Sequence, residues 1–230
     1  HDIILGDHTL FCDDINFLGI TPTIKFPSED FIGPILSDEF INSEISSGDH
    51  EIEKHLNRTG KSILLTMGSS KIMKEIFLDI LNVLNQTDYN VIATYMDMLS
   101  DDEVKRFKDN ILLKKFIPNI TKLHTRVDLS IIHGGRGTVY NAAYSCKPAI
   151  GVPLNGEQQY NIESLARHGA AKKVSKTFFK KENLLNAIEK IFVNYEKYLE
   201  NAQTLANNLS KPEGDKKATQ RIIEITKENM

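Results

Sequence analysis

Ser130-Ile-Ile-His-Gly-Gly-Arg-Gly-Thr138 is a short apolar run that stops at a histidine and three glycines, then enters a helical pattern. A strand, turn and helix in that order aim several backbone N–H groups and a helix N-terminus at one point, an arrangement suited to phosphate. One unit downstream, Asn155-Gly-Glu-Gln-Gln-Tyr-Asn161 repeats the geometry with a carboxylate and amides at the loop. The pair predicts a site that holds a diphosphate on one side and a polyhydroxylated group on the other.

The flanking pattern has the same rhythm. Strands are expected at residues 62–67, 90–94, 111–117, 129–132, 148–152 and 170–174. Helices are expected at 70–84, before 111, behind the glycine turn, at 157–168, and from 182 to the end with a break at Lys211-Pro-Glu-Gly214. Strands alternating with helices mean a parallel sheet covered on both faces, so the fold class is α/β, a doubly wound Rossmann-like sheet from residue 61 onward. Residues 1–36 hold short apolar pieces that read as the end of another domain. Residues 37–60 are polar, and Ser46-Ser47-Gly48-Asp49 reads as a flexible interdomain linker.

In such a sheet the ligand lies outside the carboxyl ends of the strands. Four loops converge there: Gly68-Ser69-Ser70, Ile117-Pro118-Asn119, His133-Gly-Gly-Arg-Gly-Thr138 and Pro153-Leu-Asn-Gly-Glu-Gln158. Ser69 and Ser70 either contact the ligand or cap the following helix.

Composition excludes several classes. Apolar residues are 40% and charged residues 26% of 230, with a net charge of −3, which gives no electrostatic reason to expect nucleic acid. No apolar run reaches the roughly 18 residues of a membrane span, and no signal-peptide pattern opens the chain. Cys12 and Cys146 stand apart, with no metal knuckle or redox pair, so a reduced, cytoplasmic protein is expected. Asp101-Asp102-Glu103 reads as a helix first turn facing the dipole rather than a metal site, and no metal or cofactor is expected. His8, His50, His55, His124 and His168 read as surface residues, and Arg136 as solvated.

The segment from Phe116 to Ala171 resembles the donor-binding half of the family-1 nucleotide-sugar glycosyltransferases of GT-B fold. The motifs that carry the likeness are Phe116-Ile117-Pro118-Asn119, His133-Gly-Gly-Arg-Gly-Thr138, Lys147-Pro148 and Glu157-Gln158 followed by Asn161. Gly68-Ser69 is similar to the family's Gly-Ser turn, and Phe31-Ile-Gly-Pro-Ile-Leu36 to the segment that closes its acceptor domain. The resemblance implies that Phe116 flanks a pyrimidine base, with Ile117 and Asn119 at its edge. His133, Gly134, Gly135, Gly137 and Thr138 would hold the diphosphate, Asn141 the ribose, and Glu157 and Gln158 the sugar hydroxyls. Asn141 stands where the family has an acid, Asn119 where it has Gln, and Lys147-Pro148 lacks the preceding Gly.

The resemblance also implies an inverting, metal-independent transfer of a hexose from UDP-sugar or dTDP-sugar to a small or lipidic acceptor. The general base would belong to the acceptor domain, so this chain is expected to bind the donor without transferring it alone. The last helix would brace that other domain. Two rivals remain at this stage: a donor-binding subunit active only on a separate acceptor partner, and a GT-B nucleotide-sugar epimerase.

Overall fold

The computed structural model describes residues 3–5, 8–19, 26–35, 49–68, 73–118, 120–209 and 213–228. The chain divides into two units, one of His1–Ser43 with Asn207–Met230, the other Glu44–Ala206. In the first, β1 (Ile3–Leu5) and β2 (His8–Leu10) form an antiparallel pair with Ile3 opposite Leu10. Helix α1 (Ile15–Leu18) follows, capped by Asp14, whose carboxylate accepts from the N–H groups of Asn16 and Phe17.

The second unit opens with α2 (His50–Leu56), inside the segment read as a linker. Asp49 caps it, and Ile52 buries against Leu64, Ile92, Ile117, Leu123 and Val127, which is why this polar stretch folds at all. The sheet then forms from β3 (Ser62–Thr66), β4 (Asn90–Thr94), β5 (Ile111–Lys114), β6 (Leu129–Ile132), β7 (Ala149–Gly151) and β8 (Ala171–Lys173). All pairings are parallel, in the order β5-β4-β3-β6-β7-β8. Every residue of β3, β4, β6 and β7 is buried, as helices on both faces require. The expected strand at 111–117 stops at Lys114, because at this sheet edge only Ile111 is buried and the remaining residues have one wet side.

The crossovers are α3 (Lys74–Leu84), α4 (Asp101–Val104), α5 (Ile120–Arg126), α6 (Arg136–Tyr144) and α7 (Gly156–Arg167). Helix α3 buries Ile76, Phe77, Ile80, Leu81, Val83 and Leu84, a 3.6-residue stripe against the main core. In α4, Ser100 and Glu103 form a reciprocal capping box, so Glu103 serves the helix start as expected of that acidic triplet.

The C-terminal region is three helices rather than two: α8 (Lys181–Val193), α9 (Tyr195–Asn208) and α10 (Gly214–Glu228). The additional break is at Asn194, whose amide donates to the Lys190 carbonyl, while the Tyr195 hydroxyl donates to the Asp128 carbonyl. The first takes the carbonyl that the Asn194 N–H would bond in a continuing helix, and the second ties the start of α9 to the sheet. The break foreseen at 211–214 falls largely outside the described residues. Within the first unit, Ala218 and Ile225 of α10 bury with Leu10, Cys12 and Ile32.

Two of the histidines expected at the surface are interior. His55 bonds the Asn110 carbonyl at 3.0 Å, and His124 is fully buried with Nδ1 2.8 Å from Ser130 Oγ. His50 is exposed and His168 half-buried, while the side chain of His8 lies outside the description.

Beyond the end of α6, Cys146 has φ +58°, the left-handed position that glycine normally takes after a helix. Cys146→Gly is expected to stabilise the protein by about 0.5–1 kcal/mol, relief of the β-carbon clash outweighing the added freedom of the unfolded chain. Thermal melts of the two proteins measure it, and an unchanged or lower midpoint contradicts it.

Candidate functional site

The strand order reverses between β3 and β6, and the turns that follow these strands meet at that switch point. Gly68, after β3, has φ +76°, and a β-carbon there would stand 3.1 Å from Cε1 of His133, after β6. Gly135 closes on the same ring, since its β-carbon would stand 2.4 Å from His133 Nε2. Two glycines therefore make the slot that holds the imidazole. His133 is 9% exposed, and its buried Nδ1 has no hydrogen-bond partner. Burial lowers its pKa below the usual imidazole value, opposed by the Thr66 backbone and the Glu157 carboxylate, so the ring is neutral at pH 7.

Gly135 is the N-cap of α6 and supplies no side-chain hydrogen bond, so the first N–H groups of this helix have no cap. Thr138 Oγ donates to the Gly135 carbonyl at 2.9 Å, which fixes the first turn from below. Gly137 is exposed, with nothing within 4 Å of where a β-carbon would be. Asn141 is half-buried on α6, one turn beyond Gly137 and Thr138.

The second loop is locked to the first. Gly134 has φ +88°, and a β-carbon on it would meet the Gln158 carbonyl and Ile162 Cγ1, both at 2.7 Å. Asn161 Nδ2 donates to the Gly134 carbonyl at 2.9 Å. Gly151, the last residue of β7, leaves room for Ile162 as well, since its β-carbon would lie 2.3 Å from Cδ1. Asn155 caps α7 by accepting from Gln158 N, and Gln158 Oε1 accepts from Leu154 N at 2.8 Å. Glu157 is exposed in the first turn of α7.

The remaining candidates lie farther along the edge. Phe116 is 65% exposed after β5, while Ile117 is buried under it in the α2–α5 cluster. Strands β4 and β3 separate them from the His133 turn. Ser69 and Asn119 lie outside the described residues. Arg136 is half-buried at the start of α6. Ile162 and Gly151 were not singled out from sequence. Their only signal is steric, and it appears when α7 is seated on β7.

A doubly wound parallel sheet with glycine turns meeting at its switch point is the architecture of a nucleotide-binding type of α/β domain. The chain belongs to the glycosyltransferase family 28 C-terminal domain family, whose profile matches residues 42–222. Among curated relatives, the uncharacterized UDP-glucosyltransferase YojK of Bacillus subtilis (strain 168) is 23% identical over 199 residues, covering 86% of this chain and 47% of its own length. Among solved structures, the glycotransferase of kitacinnamycin superposes with a TM-score of 0.66 at 20% identity, over 84% of this chain and 48% of that one. Glycosyltransferase VinC, solved in complex with DTDP, superposes with a TM-score of 0.54 at 21% identity, over 77% of this chain and 41% of that one. The fold is thus that of a GT-B C-terminal half, and the chain spans about half the length of the proteins it matches.

Proposed function

We propose that this chain is the donor-binding half of an inverting, metal-independent glycosyltransferase that moves a hexose from a UDP-sugar or dTDP-sugar to a hydroxyl of a small or lipidic acceptor. The observation that carries the reading is the uncapped N-terminus of α6, with the His133 ring held against it by Gly135. A diphosphate satisfies those N–H groups. As the sugar leaves, charge grows on the β-phosphate. Backbone dipoles and a fixed ring already aimed there stabilise that charge more than they stabilise the ground state.

The other roles follow from position. From β5 to β6 is three strand spacings, about 14 Å, which leaves the ribose between a base on Phe116 and a diphosphate at His133. Asn141 faces the ribose. Glu157 and the Gln158 amide hold the sugar hydroxyls, one accepting and the other donating. An analogue lacking a matched hydroxyl leaves one of them unpaired and is rejected. The acceptor proton is taken by a base on the acceptor domain. The relatives' names, a UDP-glucosyltransferase and a structure holding DTDP, support a pyrimidine donor.

Calorimetric titration with UDP, dTDP, GDP and ADP tests the reading. UDP or dTDP is expected to bind, and His133→Ala to weaken it. Gly137→Ala is the sharper variant. Nothing in the fold needs that glycine, so alanine should raise stability by about 0.5–1 kcal/mol in a helix. It should nonetheless lower UDP affinity roughly tenfold by filling the space the diphosphate takes. Failure of all four nucleotides to bind overturns the proposal.

A further inference from the structure

Away from the donor loops, residues 172–181 read Lys-Lys-Val-Ser-Lys-Thr-Phe-Phe-Lys-Lys. Five lysines and no acid stand in ten residues of a chain whose net charge is −3, so the positive charge is concentrated here against an acidic remainder. Lys173 pairs with Glu163, and Lys181 donates to Gln86. Lys172, Lys176 and Lys180 form no ion pair among the described residues, and the last two are exposed.

The turn between β8 and α8 is ordered. Phe179 N donates to the Lys176 carbonyl at 3.1 Å, Phe178 N to Ser175 Oγ at 3.4 Å, and Asn183 Nδ2 to the Phe178 carbonyl at 3.2 Å. Phe179 packs against the main core and anchors the turn, and its neighbour Phe178 is left 73% exposed. A large apolar ring held outward by a built turn, with lysines on either side, has the chemistry of an interfacial anchor: the ring enters the headgroup–acyl boundary and the ammonium groups meet lipid phosphates.

We propose that the turn of residues 175–180 docks this chain onto an anionic lipid bilayer, Phe178 inserting and Lys176 and Lys180 contacting the headgroups. The anchor is peripheral: among the described residues no helix is long and apolar enough to cross a membrane. The turn begins at the carboxyl end of β8, the same end of the sheet as the His133 and Glu157 loops. The inference does not depend on the donor chemistry.

Co-sedimentation of the chain with vesicles tests it directly. Capture is expected by phosphatidylcholine vesicles containing about 30% phosphatidylserine, is expected to be absent with pure phosphatidylcholine, and should fall sharply at about 0.5 M salt. Each lysine near the surface contributes about fivefold, so Lys176→Gln with Lys180→Gln should lower partitioning about 25-fold. Phe178→Ala should lower it about tenfold at unchanged charge. Circular dichroism melts of the variants, matched to the parent, establish that the turn and not the fold was altered. Three results overturn the proposal: no capture by the anionic vesicles, as a protein or nucleic-acid occupant would give; equal capture by neutral ones; or partitioning untouched in both variants.

Discussion

Gly135→Ala is expected to lower UDP affinity about 100-fold while leaving the protein folded. The backbone there has φ −60° and ψ 149°, which alanine adopts freely, so no strain arises from conformation. The cost is local and steric. The new methyl would stand 2.4 Å from Nε2, 3.2 Å from Cε1 and 3.3 Å from Cδ2 of His133. Gly68 approaches the same end of the ring, where its β-carbon would stand only 3.1 Å from Cε1, so the ring has to shift within a narrow slot. A diphosphate bound as proposed then loses a fixed partner and the shape of the turn together. A hydrogen bond to a charged group is worth about 1.5–3 kcal/mol, or one to two decades of affinity, and the displaced turn adds to it. Calorimetry of Gly135→Ala beside Gly137→Ala separates ring displacement from filling of the ligand's space. Unchanged UDP affinity in Gly135→Ala would sink the role assigned to His133.

Acidification should destabilise the fold well before carboxylates protonate. Burial pushes the pKa of His124 down to about 4, whereas the unfolded chain titrates near 6.5. The sign follows from which state binds the proton first. Below pH ~6.5 the unfolded state gains it and the folded state does not, so this stability is complete above that pH and is lost as pH falls toward about 4. Between pH 6.5 and 4.5 the loss from His124 alone is about 2–3 kcal/mol. His55 and His133, also lowered by burial, act in the same direction. Asp49 and Asp128 have lowered values, and their contribution disappears only at more acid pH. Urea unfolding at pH 6.5, 5.5 and 4.5 measures the slope, and His124→Gln should flatten much of it. A flat profile in the parent, or an unaltered slope in His124→Gln, contradicts the assignment.

Much of this fold can be read from the chain because strands buried on both faces are written as short, mainly apolar runs. Residues 62–66, 90–94 and 129–132 are such runs, and each is a strand. The glycine turn was legible as a turn, since His-Gly-Gly-Arg-Gly straight after an apolar run marks a strand leaving into a tight bend before a helix. What stayed hidden depends on contacts between elements. Helix α2 exists because Ile52 finds the underside of the sheet, which no local pattern announces. His124 reads as an isolated polar residue until α5 sets it beside Ser130 of β6. Tyr195, just past the stop at Asn194, ties the next helix to Asp128 across 67 positions of sequence.

Ile162 lies beneath two loops at once, filling the spaces left by both Gly134 and Gly151, while Asn161 beside it holds the Gly134 carbonyl. The two loops proposed to hold the diphosphate and the sugar are therefore cast in one piece. A change of side chain on the first turns of α7, made to accept a different hexose, will be felt at the phosphate end through that shared support. Altering sugar preference while keeping nucleotide affinity would then have to start from the exposed Glu157, the one contact of this pair that the support does not hold.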